Sequence, residues 1–367
     1  MIQSIELKNF KSIKRHRFPL RNLNVVLGLN GMGKSTFIQS FLLMKQSENL
    51  FHGTLRLNGQ LVEIGKGSDA FYQYSKENEI VFDVCFSDKK NMRFDFEYKK
   101  ETDYLRTKKQ EYLNNSFFEQ ALFKDKFQYL SASRIDPKVI YDKSYTSVVN
   151  LRNIGKHGQY TAHFLHVFGN EDIAFPNLRH VKSKTLRLID QVNCWMGEIS
   201  TGVKFNTTDI PNTDNVLLDM QFEQPNLGFT GRFRPTNVGF GISYALPVVT
   251  ALLAAQPGAL IVIENPESHV HPRGQAELGK LIAKIAMNDV QIIVETHSDH
   301  IVNGIRVAVK EKDVSNDKLM FFYFERKTEE NEQYSKITNI EVDSRGELSS
   351  YPTNLLDEWS NQLVKLV

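Results

Sequence analysis

Leu23-Asn-Val-Val-Leu27 runs directly into Gly28-Leu-Asn30-Gly31-Met32-Gly33-Lys34-Ser35-Thr36, and the reading of this stretch decides the fold. An apolar strand enters, Gly28 to Ser35 fits G-x-x-x-x-G-K-[ST], and Phe37 to Lys45 leaves with helical spacing. In that setting glycines let backbone N–H groups converge on phosphate oxygens, and the helix adds the positive end of its dipole. Lys34 reaches the β- and γ-phosphates, and the Ser35 hydroxyl ligates Mg²⁺. The pattern predicts a nucleotide site made of Asn30, Gly31, Met32, Gly33, Lys34, Ser35 and Thr36. No guanine-reading N-K-x-D motif is present to separate GTP from ATP.

Such a site needs an acidic residue at the end of a neighbouring buried strand to hold Mg²⁺. Leu260-Ile-Val-Ile263-Glu264 supplies it and continues as Asn265-Pro-Glu267-Ser-His269-Val-His271-Pro. A second apolar run, Gln291-Ile-Ile-Val294, ends in Glu295-Thr-His297-Ser-Asp299-His300. Helices predicted over 242–255, 272–287 and 298–310 alternate with strands over 259–263, 290–294 and 318–324. That alternation predicts a parallel sheet with crossover helices, and it places Glu264, Glu267 and His297 near the phosphate loop.

Around this core, residues 2–7 and 54–98 show the period-two spacing of an antiparallel layer. Residues 100–127 read as helix-prone, 136–160 as a long loop, 160–168 and 180–196 as helices, and 200–206 and 215–223 as strands. The tail adds strand-like pieces at 335–342 and 346–350 and a helix near 354–366.

The order of motifs resembles the ABC-type ATPases of the SMC, RecF and OLD group. Asn9-Phe10-Lys11-Ser12 matches the turn ahead of their first phosphate motif, Ile263 to Pro272 their second motif, and Thr296-His297-Ser298 their switch. Asn237 to Pro247 occupies the place of their signature, and Tyr129-Leu-Ser-Ala-Ser-Arg134 resembles a strand and arginine that many of them carry. The likeness extends to small bacterial anti-phage defence ATPases, including the Septu-type ATPase subunit.

The resemblance implies an α/β fold, a P-loop NTPase of the ABC-type ATPase head with a mainly parallel central sheet, an antiparallel β layer and a helical insertion. Its expected segments are 1–99 and 231–315 as ATPase lobes, 100–230 as a helical or mixed insertion, and 316–367 as a small C-terminal cap. It implies ATP hydrolysis with Ser35 and Glu264 on Mg²⁺, Glu267 or Asn265 orienting water, His297 sensing the γ-phosphate and Lys11 reaching phosphate. Gly239, Gly241 and Ser243 would face the nucleotide of a second copy in a homodimer or higher oligomer. A separately encoded effector, a nuclease or toxin in antiviral defence, is the expected partner. DNA, in a repair factor like RecF, is the alternative, and a slowly hydrolysing ATP-gated scaffold is another. Two departures stand out. Asn265 sits where the related sites have a glutamate, and an amide orients water without taking its proton. The signature segment also lacks the Ser-Gly-Gly run.

Composition sets the outer limits. Hydrophobic residues are 41% of the 367, which excludes a disordered chain. Lys+Arg at 45 against Asp+Glu at 43 gives a net charge of +2, too little for a surface devoted to nucleic acid. Cys85 and Cys194 cannot form a disulfide framework or a four-thiolate metal site. No apolar run approaches membrane-spanning length, and the N-terminus lacks a signal-peptide core, so a cytoplasmic protein without membrane contact is expected. His269, His271 and His300 read as packing or dimer-contact residues rather than metal ligands. The cations between Lys8 and Arg21, and between Arg152 and Arg187, are candidate DNA contacts or solvated edges. Phe117 to Phe127 reads either as core or as a docking helix for a partner.

Overall fold

The computed structural model describes residues 1–47, 50–88, 90–108, 118–353 and 355–366. They divide into two compact units: Met1–Lys124 with Asp317–Asp343 and Glu347–Val367, and Asp125–Asn316 with Ser344–Gly346. The first unit opens with β1 (Ile2–Phe10), β2 (Ile13–Pro19), β3 (Leu23–Gly28) and α1 (Lys34–Gln46). It continues with β4 (Thr54–Arg56), α2 (Gly67–Ala70), β5 (Glu79–Phe86), β6 (Asn91–Glu97) and β7 (Tyr104–Thr107). The second unit begins with β8 (Phe127–Leu130), β9 (Ile140–Asp142), α3 (Thr161–Phe168), α4 (Leu188–Ile199), β10 (Val203–Asp209), β11 (Asn215–Gln224) and β12 (Gly228–Phe229). Then come α5 (Phe240–Leu253), β13 (Leu260–Glu264), α6 (Pro272–Ala286), β14 (Gln291–Glu295) and α7 (Asp299–Lys310). The chain returns to the first unit as β15 (Leu319–Glu329), β16 (Glu332–Ile340) and α8 (Glu358–Val364).

In the first unit an antiparallel sheet runs in the order β2-β1-β5-β6-β7-β4. Separately, β3 pairs in parallel with β15, and β15 pairs antiparallel with β16. The rings of Phe18, Phe37 and Phe322 meet at centroid distances of 4.3 to 5.8 Å, so β2, α1 and β15 share one buried aromatic cluster. The Phe-rich stretch 318–324 is therefore core, with Phe321, Phe322 and Phe324 fully buried. In the second unit β8, β13 and β14 form the expected parallel run, with Ile263 facing both Leu130 and Val294. A smaller antiparallel sheet joins β9, β10, β11 and β12.

Several expectations need correction. Among the described residues of 100–127 stand the strand β7, which pairs with β4 and β6, and turns over 118–126, where a helix is expected. Leu105 is buried between exposed neighbours, the alternation of a strand covered on one face. The stretch 109–117, including Phe117 of the suggested docking helix, lies outside the described residues. The first unit consequently extends to Lys124 rather than ending at 99, and most of the expected C-terminal cap belongs to it through β15.

The stretch 136–160 contains β9 and a π-helical turn over Tyr145–Asn150. It is tied down where Asn153 Nδ2 donates to the Phe127 carbonyl and Ser131 N–H to the Lys156 carbonyl. The helix expected from 180 begins only at Leu188. Ahead of it the Gln191 side chain accepts from His180 N–H and donates to the Thr185 carbonyl, satisfying backbone groups that a helix would otherwise pair. Residues 346–350 reduce to one bridge, Val342 to Leu348. Cys85 and Cys194 are free thiols.

Candidate functional site

The phosphate loop lies in the first unit, between β3 and α1. Gly28 pairs with Phe324 and has φ 133°, and a Cβ there would stand 2.3 Å from the Phe324 carbonyl oxygen. Gly33 has φ 103°, and its Cβ would fall 2.2 Å from Ser335 Oγ and 2.6 Å from Ser12 Oγ. Only glycine fits either place. Gly33→Ala is accordingly expected to cost about 1–3 kcal/mol. It should lower the melting temperature by several degrees, which thermal unfolding would read directly.

Gly33 caps α1 without a side-chain hydrogen bond, and the first turn of α1 carries no acid. Its N-terminus therefore keeps its positive character for an anion. Lys34 is buried, and its Nζ donates to the carbonyls of Gly28 at 2.8 Å and Leu29 at 2.9 Å. Asn30, Gly31 and Ser35 are exposed, whereas Thr36 is buried with its hydroxyl 3.5 Å from Ser12 Oγ. Lys11 has φ 50° and turns its Nζ onto Gln39 Oε1 of α1 at 2.8 Å, and burial lowers its pKa.

Two residues of the loop's support escaped the sequence reading. Ser335 Oγ lies 2.7 Å from the Met32 carbonyl, to which it donates, and 2.8 Å from Ser12 Oγ. Arg326 Nη2 donates to the Gly31 carbonyl at 3.2 Å. Both stand on the β15–β16 hairpin, some three hundred positions away in sequence. No local pattern marks them.

An acidic group lies in the second unit, at the carboxyl ends of β13 and β14, where Glu264 and Glu295 are paired in register. Glu264 is half-buried. Its Oε1 accepts from Tyr129 OH and its Oε2 from Ala132 N–H, both at 3.2 Å. Burial raises its pKa, opposed by those two donors and by the Arg134 charge. Glu267 Oε1 accepts from His297 N–H at 2.7 Å, which links the two strand ends. Glu267 Oε2 and Asn265 Oδ1 are buried and have no hydrogen-bond partner. Orphaned acceptors of this kind are what water or a cation's hydration shell completes. Hard oxygen donors also suit Mg²⁺, and each Glu264 oxygen accepts only one of these bonds, so the residues present fit the ion.

At the signature-like segment, Gly239 is exposed and begins α5 with no side-chain cap and no acid in the first turn. Gly241 lies against the His269 carbonyl, 2.2 Å from where its Cβ would be, so close packing explains that glycine. Ser243 is buried and its Oγ has no partner.

The profile of a family described as "AAA domain, putative AbiEii toxin, Type IV TA system" matches residues 23–303. The chain belongs to this family. Within this AAA-domain chain, residues 314–366 match a second profile, described as "Protein of unknown function (DUF3696)". An SMC head bound to the C-winged helix domain of ScpA is 11% identical, covers 93% of this chain and 98% of its own, and superposes with a TM-score of 0.50. The SMC head domain from Thermotoga maritima is 13% identical over 93% and 99% of the two chains, with a TM-score of 0.48. No curated protein matches. The AAA-domain chain thus has an SMC-head-like P-loop NTPase fold, the class of nucleotide-binding ATPases.

Two of the histidines at issue, His269 and His271, have packing and capping contacts. His271 Nδ1 caps α6 by accepting from Arg273 N–H, and the His269 ring meets Tyr244 edge-on at 4.8 Å. No group of three or more His, Cys, Asp or Glu that could hold a metal occurs among the described residues. No helix among them is long and apolar enough to cross a membrane.

The raised pKa of Glu264 has a definite sign. The fold favours its neutral form, a contribution present below the ordinary glutamate range and lost as pH rises through the raised value. Without nucleotide, the melting temperature should fall with pH there in the wild type and stay flatter in Glu264→Gln. Equal slopes in melts of the two proteins would contradict the assignment.

Proposed function

We propose that the chain binds ATP with Mg²⁺ and hydrolyses it. Lys34 and the α1 N-terminus hold phosphate, Ser35 and Glu264 supply Mg²⁺ oxygens, and Glu267 takes the proton of a water that Asn265 helps to orient. His297 stands beside Glu267 as the γ-phosphate sensor, and Lys11 is a further phosphate contact. The observation that carries this reading is the buried Lys34 ammonium, held by its own loop's carbonyls at a helix end free of acids and side-chain caps. The chemistry supplied by Mg²⁺ is charge neutralisation on the phosphates. The chain's own groups position water and remove its proton.

Two copies share the nucleotide in this reading, with the exposed Gly239 end of α5 offering backbone donors to the second copy's γ-phosphate. Gly241 and Ser243 then support that helix end from within. The partner is a separately encoded effector protein, a nuclease or toxin in antiviral defence, and the site of action is the cytoplasm. The family's description as a toxin-type AAA domain favours a conflict role. An SMC head bound to a domain of ScpA is a precedent for a protein partner on this fold.

DNA is the second choice, because six of the candidate cations are matched by carboxylates. Lys14 pairs with Glu332, Arg15 with Glu6 and Arg21 with Glu341. Arg152 pairs with Glu171, Lys182 with Glu198 and Arg187 with Asp190. Cations already paired release fewer phosphate counterions.

Native mass spectrometry of the tagged protein, expressed with its flanking genes and purified in ATP and Mg²⁺, tests the assembly. A dimer carrying a second protein, lost in Lys34→Ala, is the expected result. A bare dimer trailing nucleic acid would put the repair-factor reading first.

A further inference from the structure

Arg134 is buried to 4% exposure without a hydrogen bond to any carboxylate, and its Nε has no partner. Burial depresses its pKa to about 10, against the pull of Glu267 and Glu264. Its bonds go instead to backbone: Nη2 to the Glu264 carbonyl at 2.7 Å and Nη1 to the Asn265 carbonyl at 3.0 Å.

In a strand, successive carbonyls point to opposite sides. The two that meet Arg134 converge because Asn265 has φ 44°, in the left-handed region, where asparagine is among the most tolerant non-glycine residues. Asn265 N–H meanwhile stays on the ladder, donating to the Glu295 carbonyl at 2.9 Å. The guanidinium fork thus closes over a turn that an extended chain would lack, and the turn fixes where the Asn265 amide stands. The same short segment holds the Glu264 carboxylate through Tyr129 OH and Ala132 N–H.

We infer that Arg134 is a positioning residue, clamping residues 264 and 265 so that carboxylate and amide are preset for Mg²⁺ and water. As a role in hydrolysis this rests on the ATPase reading above, but its structural core can be tested without activity.

A double-mutant cycle with Arg134→Lys and Asn265→Gly does so, read by melting temperature. Lysine keeps the charge but cannot bond both carbonyls with a planar fork, and glycine adopts the left-handed turn without strain. Arg134→Lys should lower the melting temperature clearly in the wild-type background and at most half as much in the Asn265→Gly background. Equal shifts in both would overturn the clamp. In the otherwise wild-type enzyme, Arg134→Lys should lower kcat at least about tenfold while the dissociation constant for ATP changes less than about threefold. A parallel loss of both would overturn the positioning role. A wild type without ATPase activity would instead refute the parent reading, with the melting cycle still deciding the clamp.

Discussion

Lys34→Ala is expected to weaken Mg²⁺–ATP binding by at least about 100-fold, because charge-assisted hydrogen bonds contribute roughly 1.5–3 kcal/mol each and the ammonium can make two to phosphate. The ammonium already sits inside the loop, 2.8 and 2.9 Å from the Gly28 and Leu29 carbonyls, so phosphate finds the cation positioned. The variant also removes a buried stem, so some loss of stability accompanies the loss of affinity. Lys34→Met keeps most of that stem and separates the two effects. Equilibrium titration with a fluorescent ATP analogue reads the affinity, and thermal unfolding reads the fold. Unchanged affinity in Lys34→Met would remove the loop from the account.

Glu267→Gln is expected to lower turnover by about 10²–10⁴-fold, the usual contribution of a general base. Glutamine keeps the shape and an oxygen for the His297 N–H, so the strand-end link at 2.7 Å should survive. What disappears is the proton acceptor at Oε2, which is buried and has no protein partner. Asn265→Ala should cost only about tenfold, because an amide supplies one orienting hydrogen bond. Part of that cost is strain, since alanine tolerates φ 44° less well than asparagine. Steady-state phosphate release from both variants separates the roles. Full turnover in Glu267→Gln with none in Asn265→Ala would reverse them.

The core was legible where burial writes itself into sequence. The strands β13 and β14 are continuous apolar runs that end in Glu264 and Glu295, as parallel strands covered on both faces must be. The helices between them begin and end within about two residues of the periodic pattern, the usual uncertainty at helix ends. What stayed hidden depends on partners distant in the chain. Nothing near Tyr104 announces that it starts a strand, because β7 is defined by its pairing with β4 and β6.

The site divides in the same way. As candidates, Lys34, Ser35 and Glu264 follow from spacing alone, since the proposed chemistry needs those residue types there. Ser335 and Arg326 reach the loop only because β15 pairs with β3 and carries β16 alongside. Arg134 stood in a recognisable segment, but its two carbonyl bonds exist only once Asn265 turns left-handed. The glycine at 241, expected to serve a signature motif, is accounted for by its contact with the His269 carbonyl.

The most direct measurement is phosphate release by the wild-type protein at saturating ATP, with Mg²⁺ and then with EDTA, alongside tightly bound ATP measured in the same samples. Steady release that requires Mg²⁺ and stops in EDTA is the expected result. ATP held tightly in Mg²⁺ with no phosphate released would contradict hydrolysis and leave an ATP-gated scaffold in its place.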